Sequence, residues 1–458
     1  MNRLPLSHLD RCFLPLLHKC FFLAILAALF FFEAAPRAMA DATITVDANQ
    51  IKGYVNPLVF GQNVFTNNNT MWDHRTDSLM RDPDDSGIKV KDKIEELAPT
   101  VLRFPGGTSS DLYFWEDGLG ILTKNQLDAS STLIELDDKP RNWSNSGQGL
   151  ILQTPEWPYE LPWESLKGQL GDQFVYSGVD VVNKKLTLPA SPNNQINPPA
   201  WNKDYYPVDK GISVRPGGRM WNGHQVIEGS SGGYDNTYGI VEHMKVVNSL
   251  GAEALITVNY RTKLNNDGTV YQSTPLPAND QRLKRAQALV AFCNGRTNDT
   301  RSLGLDDGYN DWHTVGYWAR KRAALGFPQP FDVRFWQVGN EPYYDIYIRN
   351  NSPVPPFYDM AFQAPLAATY GAHFNVFAQK MKEVDPKIRV GAAGMRPNQI
   401  SGTNDGENWD AWNRDVLIGT QDNLDFFPFI RTTRTHANLA HSMIPTGLKR
   451  SWPGLPKH

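Results

Sequence analysis

The chain has 458 residues and a formal net charge of -3, with 20% charged and 41% hydrophobic residues. That balance fits a soluble globular protein with a large core, and it lacks the basic footprint of a nucleic-acid binder. Three cysteines are too few for a disulfide scaffold.

Taken in chain order, Arg3, Arg11 and Lys19 precede an apolar run from Cys20 to Phe32, followed by the small-residue site Ala38-Met39-Ala40. This pattern predicts a signal peptide over 1–40. The run is short of the about 20 apolar residues that span a bilayer. The expected mature chain is therefore secreted or periplasmic and, after cleavage, carries no membrane segment. Cleavage would remove Cys12 and Cys20, leaving Cys293 as a buried small apolar residue. With no Cys-rich or His-x-x-x-His spacing, no metal and no cofactor are expected.

A short β pattern, Thr43 to Val46, comes next, and Leu58-Val59-Phe60-Gly61 is the first strand of a repeating series. A helix follows from about Lys89 to Leu97. Thr100 to Phe104 then forms a second strand, running into the turn Pro105-Gly106-Gly107. Its helix is delayed until about Thr237 to Leu250, where Ile240, Met244 and Val247 share one face. A third strand, Ala254 to Val258, ends at Asn259. Helices near Gln281 to Phe292 and Thr314 to Leu325 lead to a fourth strand, Val333 to Val338. A long helix from about Pro365 to Val384 precedes a fifth strand at Ile388 to Ala393. Another helix, about Trp409 to Ile418, reaches a sixth at Leu424 to Phe427.

Alternation on this scale predicts an α/β fold with a parallel sheet and right-handed crossovers. The expected architecture is a (β/α)8 TIM-type barrel, incomplete at about six strands, over 41–427. No Gly-x-Gly-x-x-Gly follows the first strand, which counts against a dinucleotide fold. Residues 121–236 form a long insertion after strand two, with a hairpin expected near Phe174 to Leu188. Its five tryptophans, Trp143, Trp157, Trp163, Trp201 and Trp221, suggest a wall of a substrate cleft. Residues 428–458 hold no Asp or Glu but carry Arg431, Arg434, Lys449, Arg450 and Lys457, an atypical basic tail that suggests a shifted or truncated reading frame.

The fourth strand ends in Gly339-Asn340-Glu341-Pro342. In parallel α/β proteins the carboxyl edge of the sheet is where ligands bind and chemistry sits. A carboxyl there, crowded by Trp336, Tyr343 and Tyr344, suits a general acid whose pKa is raised by desolvation.

Several segments together are similar to the α-L-arabinofuranosidases of glycoside hydrolase family 51. They are Val55 to Gly61, Leu102 to Gly107 continuing to Tyr113 through Gly120, and Leu250 through Asn259. Most specific is Ala291 to Gly295, followed by Phe327 to Val333 leading into Trp336 to Glu341. The resemblance implies a retaining glycoside hydrolase acting on plant-type polysaccharide or oligosaccharide, with two carboxylates about 5–5.5 Å apart. Glu341 would be the catalytic acid/base and Asn340 would bind the sugar 2-hydroxyl. Arg103 would hold the network around the carboxyl, Trp115 would form a sugar-facing wall, and Tyr343 would line the same site.

Two departures from the family matter. Its Glu after strand one is replaced here by Gly61-Gln62-Asn63, so Gln62 or Asn63 would have to bind hydroxyls instead. Its nucleophile, a Glu at the end of strand seven, has no counterpart up to Phe427, and Glu407 follows strand five, the wrong station. Two alternatives therefore stand beside the arabinofuranosidase: an endo-β-glucanase or xylanase-like hydrolase on the same scaffold, and an inactive sugar-binding remnant. The partner expected in each case is a carbohydrate, and the oligomeric state is not legible.

Overall fold

The computed structural model of the chain describes residues 58, 61–64, 72–73, 78–79, 90–111, 113–152, 172–196, 205–206, 212–219, 225–226, 236, 238–260, 276–343, 360–395 and 408–428. Asn56–His458 forms one compact unit, and the other, Met1–Val55, lies outside the described residues. So do the predicted leader, the 43–46 strand, Tyr344, Glu407, Trp157, Trp163, Trp201, Trp221 and 429–458. Among the described residues no helix is long and apolar enough to cross a membrane.

Five parallel strands build the central sheet: β1 (Gly61–Asn63), β2 (Val101–Phe104), β3 (Glu253–Val258), β4 (Phe335–Val338) and β5 (Arg389–Ala392). They lie in the order β1-β2-β3-β4-β5, so chain order and spatial order coincide. The helices between them are α1 (Val90–Leu97), α2 (Ile240–Leu250), α3 (Gln281–Asn294), α4 (Val315–Ala324), α5 (Met360–Val384) and α6 (Asn408–Thr420). Local chemistry sets several ends. Asp280 and Thr314 cap α3 and α4 by accepting from the amides of Arg282 and Tyr317, and Gly251 ends α2 at φ 62°.

Strand alternation divides the sheet chemically. Leu102, Phe104, Ile256, Val258, Trp336, Val338, Val390 and Ala392 are buried in the main core, which they share with the helices. The opposite face carries the polar side chains Arg103, Thr257 and Gln337, all buried. A polar inner face under an apolar outer one is what turns the mouth of this sheet into a site.

Two strand expectations are corrected, and the expected hairpin lies within 178–187. The first strand is Gly61–Asn63, not Leu58 to Gly61; Leu58 lies in a 3-10 turn. Gly61 pairs with Val101 so closely that a Cβ would fall 2.6 Å from Val101 Cγ1, which favours glycine at that register. Leu424 to Phe427 is not a sixth strand; it contributes one isolated parallel bridge, Gly391 to Phe426. The phenylalanine ring occupies the space a Gly391 side chain would need. The hairpin pairs Gly178–Asp180 with Lys185–Thr187, whereas Asp172–Tyr176 pairs instead with Gly147–Leu152.

Residues 121–236 hold antiparallel sheets of four and three strands around a separate core that includes Leu127, Phe174, Tyr176, Leu186, Tyr206 and Val214. Trp143 belongs to that core at 8% exposure, with its ring edge-on to Tyr176, so it is a packing residue before it is a cleft wall. Arg215 pins the returning chain to α2. It donates to Glu242 Oε1 at 2.8 Å, while Glu242 Oε2 accepts the Gly239 amide at the helix start.

The path into β4 is tied down by Arg322 of α4, whose guanidinium is fully buried. It donates to the carbonyls of Phe292 and Gly295 at the end of α3 and of Phe327 beyond α4. The Asn294 side chain pairs with both the amide and the carbonyl of Val333 at 2.9 Å. The segments 291–295 and 327–333 are thus one hydrogen-bonded knot just ahead of the strand that leads to Glu341. Replacing Arg322 with Met keeps much of the stem but strands several carbonyls, so the expected loss in urea denaturation is about 2–4 kcal/mol. A loss under about 0.5 kcal/mol would place the knot's strength elsewhere.

Candidate active site

Arg103 sits near the end of β2 at 6% exposure, on the polar face of the sheet. Its guanidinium meets three amides: Asn63 on the adjacent β1, and Gln337 and Asn340 beyond β3. Nε donates to Gln337 Oε1 at 3.0 Å, Nη1 to Asn63 Oδ1 at 3.2 Å, and Nη2 to Asn340 Oδ1 at 3.0 Å. Burial lowers its pKa to about 10, opposed by the negative charges of Glu341 and Asp111. It therefore stays protonated at neutral pH.

A guanidinium has donors and no acceptor, so each amide that meets it must present its oxygen. The carbonyl of Asn340 is thereby turned toward Arg103 and its NH2 group away. Gln337 is locked from the other side, its Nε2 donating to the Gly339 carbonyl at 2.9 Å. The Asn340 backbone amide approaches Asp111 Oδ1 at 3.4 Å, and Asp111 is fully buried.

Glu341 follows immediately, partly exposed, with φ 44°. A non-glycine residue in the left-handed region is uncommon, and such strain persists only where surroundings enforce it. Here Gly339 (φ 72°) turns the chain at the strand end, and Tyr343 Oη donates to Glu341 Oε1 at 3.1 Å. The Tyr343 ring lies edge-on to Trp412 of α6, which stacks on Tyr370 of α5. Tyr370 in turn bridges the strand ends: its hydroxyl donates to the Val338 carbonyl at 2.7 Å and accepts from the Ala393 amide at 2.8 Å. A chain of aromatic contacts thus runs from two helices to one carboxylate.

Four of the five expected site residues, Arg103, Asn340, Glu341 and Tyr343, come together. Trp115 does not join them. It is 2% exposed, packs against Phe292 and Trp318, and spends its indole N–H on the Arg285 carbonyl at 3.1 Å. Trp115 is therefore a core residue rather than a sugar-facing wall. Trp336 likewise points away from Glu341: it lies on the helix-facing side of β4, and its indole donates to Val333. Residues not singled out from sequence are Asp111, Gln337, Tyr370 and Trp412. Gln337 carried a signal, an amide inside an apolar strand, whereas nothing in the spacing marks Asp111. Among the described residues no group of three or more His, Cys, Asp or Glu is placed to hold a metal ion.

A model of the alpha-L-arabinofuranosidase 1 domain family matches residues 198–427, half of the chain. No curated protein matches it. Among solved structures, the chain is similar to a family 51 α-L-arabinofuranosidase from Bifidobacterium longum at 17% identity and TM-score 0.41, covering 84% of this chain and 47% of that one. The α-L-arabinofuranosidase of Thermotoga maritima in its arabinose complex gives 17% identity, TM-score 0.36 and coverages of 78% and 42%. That of Thermotoga petrophila gives 17%, 0.33, 76% and 40%. The chain spans less than half the length of these structures, and the family assignment rests on the family model.

The turn at Gly339 is open to direct test. A Cβ there would lie 2.9 Å from Tyr260 Cβ, whereas Gly326, at φ 91°, has nothing within 4 Å. Both Gly-to-Ala changes force a left-handed alanine, but only Gly339→Ala adds a clash. It should cost about 1–3 kcal/mol more than Gly326→Ala in chemical denaturation. Equal costs would show that the close approach to Tyr260 is immaterial.

Proposed function

The chain belongs to the alpha-L-arabinofuranosidase 1 domain family, and on that premise we propose that it is a retaining glycoside hydrolase of α-L-arabinofuranosidase type. Its substrates in this proposal are arabinofuranosyl groups of plant-type polysaccharide or oligosaccharide. The observation that supports it most is the Arg103–Asn340 contact beside Glu341. Glu341 protonates the leaving oxygen and then takes a proton from the attacking water, while Tyr343 fixes the carboxylate's orientation. Asn340 offers its NH2 group to the sugar 2-hydroxyl, a contact that strengthens as positive charge develops at the anomeric carbon. Arg103 acts through these groups as a positioning residue. A retaining mechanism also needs a nucleophilic carboxylate about 5–5.5 Å from the acid; no described residue is assigned that part. The proposal further holds that the five-stranded sheet belongs to a (β/α)8 barrel interrupted by 121–236, and that the chain is exported.

One observation favours a second activity on the same scaffold. Asn63, at the station where the family carries a Glu, is exposed and has its carbonyl committed to Arg103. An endo-acting β-glucanase or xylanase-like specificity would follow if that change closes the furanose site. Assay of the chain on aryl α-L-arabinofuranoside, soluble β-glucan and xylan separates the two, with hydrolysis of the arabinofuranoside alone expected. Cleavage of the polymers alone would favour the second activity, and retention of sugar without turnover would identify a binding remnant. In an active form, Glu341→Gln should lower kcat/KM for substrates with poor leaving groups by about 100- to 10,000-fold while sparing kcat/KM for activated aryl glycosides, whose first step needs no acid. Equal slowing of both classes, or of neither, would contradict the acid/base assignment.

A further inference from the structure

A cavity of about 120 Å³ lies between the insertion and the helical layer, and none of Arg103, Asn340, Glu341 or Tyr343 lines it. We propose that it is a second ligand site, for a neutral polyhydroxylated molecule the size of a single sugar ring.

Four aromatic side chains contribute to its wall: Trp143 from the insertion, Trp312 from the loop before α4, and Tyr317 and Trp318 from α4. Flat apolar rings beside a few converging polar groups are the usual make-up of a small-molecule pocket. They suit a sugar, whose C–H face packs on an aromatic ring while its rim of hydroxyls meets polar groups.

The charges of the wall largely pair with one another. Arg285 holds Glu116 at 2.8 Å, Lys321 holds Asp138, and Arg141 donates to the Asp311 carbonyl at 3.3 Å. Tyr317 Oη also donates to Asp138 Oδ2 at 3.3 Å, and Asn142 donates to Asp117 at 2.8 Å. A wall that neutralises itself offers little to a strongly ionic ligand.

Arg285 is spent inside the wall: it pairs with Glu116, and its guanidinium is packed over the Phe114 ring at 4.2 Å and near Trp312 at 5.5 Å. A neutral ligand with an apolar face and a hydroxyl rim therefore suits these rings and this charge balance better than an ionic one. Only the choice of pentoses as probes rests on the function proposed above.

Isothermal titration calorimetry on the whole chain, with L-arabinose, D-xylose and D-galacturonate, tests this. Pentose binding should persist in Asn340→Ala, and in that background it should weaken at least about ten-fold on adding Tyr317→Ala or Asp138→Asn. The second variant keeps the volume of the side chain and decides the matter if the first fails to fold. The proposal is overturned if neither pentose binds, if the folded pocket variants bind as Asn340→Ala alone does, if Asn340→Ala abolishes binding, or if galacturonate binds more tightly than both pentoses. Pentose binding in the pocket without glycosidase turnover would leave this site standing and count against the proposed activity.

Discussion

A buried guanidinium at the mouth of a parallel sheet is the constraint on which the site depends. Taking a cation out of water costs several kcal/mol unless its hydrogen-bonding groups are met. Arg103 meets the oxygens of Asn63, Gln337 and Asn340, and lies in the field of Glu341 and Asp111. The need runs both ways, because an amide left unpaired in the same place would be costly too. The result is an arrangement in which the orientation of each amide is dictated by one side chain. What faces away from the guanidinium is then set: the Asn340 NH2 group and, next to it, the partly exposed Glu341 carboxylate.

Holding that arrangement takes elements far apart in sequence. Arg103 comes from β2, Gln337 from β4, and β3 lies between them, so the long arginine side chain spans a strand that places Leu255 beside Arg103 and Thr257 beside Gln337. The entry to β4 is held by the Arg322 and Asn294 bonds, and its end by Tyr370, Tyr343 and Trp412. The left-handed φ of Glu341 is strain that these contacts jointly support. Rigidity around one carboxylate is the device by which a folded core becomes a site.

Much of this was legible in the sequence where periodicity and chain punctuation speak. The helices ending at Leu97 and Leu250, and the strands carrying Arg103, Val258 and Val338, fall within a few residues of their expected places. Gly339-Asn340-Glu341 marked the site because an amide and an acid closing an apolar strand have no role in packing. The errors have physical causes. Leu58 to Gly61 looks like a strand by its apolar content, but Gly61 and the polar Gln62 and Asn63 make the pairing, because register with β2 overrides composition. Leu424 to Phe427 has strand-like residues, yet it gains only a bridge where Phe426 fills the space above Gly391. Trp115 reads as a sugar-facing wall because tryptophan serves both stacking and packing, and only burial separates the two. Asp111 was invisible, since a carboxylate in a short 3-10 turn announces nothing until the fold sets it against Asn340.

The interdependence of Arg103 and Asn340 can be measured without relying on activity. Chemical denaturation of the parent, Arg103→Met, Asn340→Leu and the double variant gives their coupling free energy. If one guanidinium dictates the amide beside the acid, the two losses should be non-additive by about 1 kcal/mol or more. Losses that add to within about 0.3–0.5 kcal/mol would show that Asn340 is held independently, and the central claim would fail.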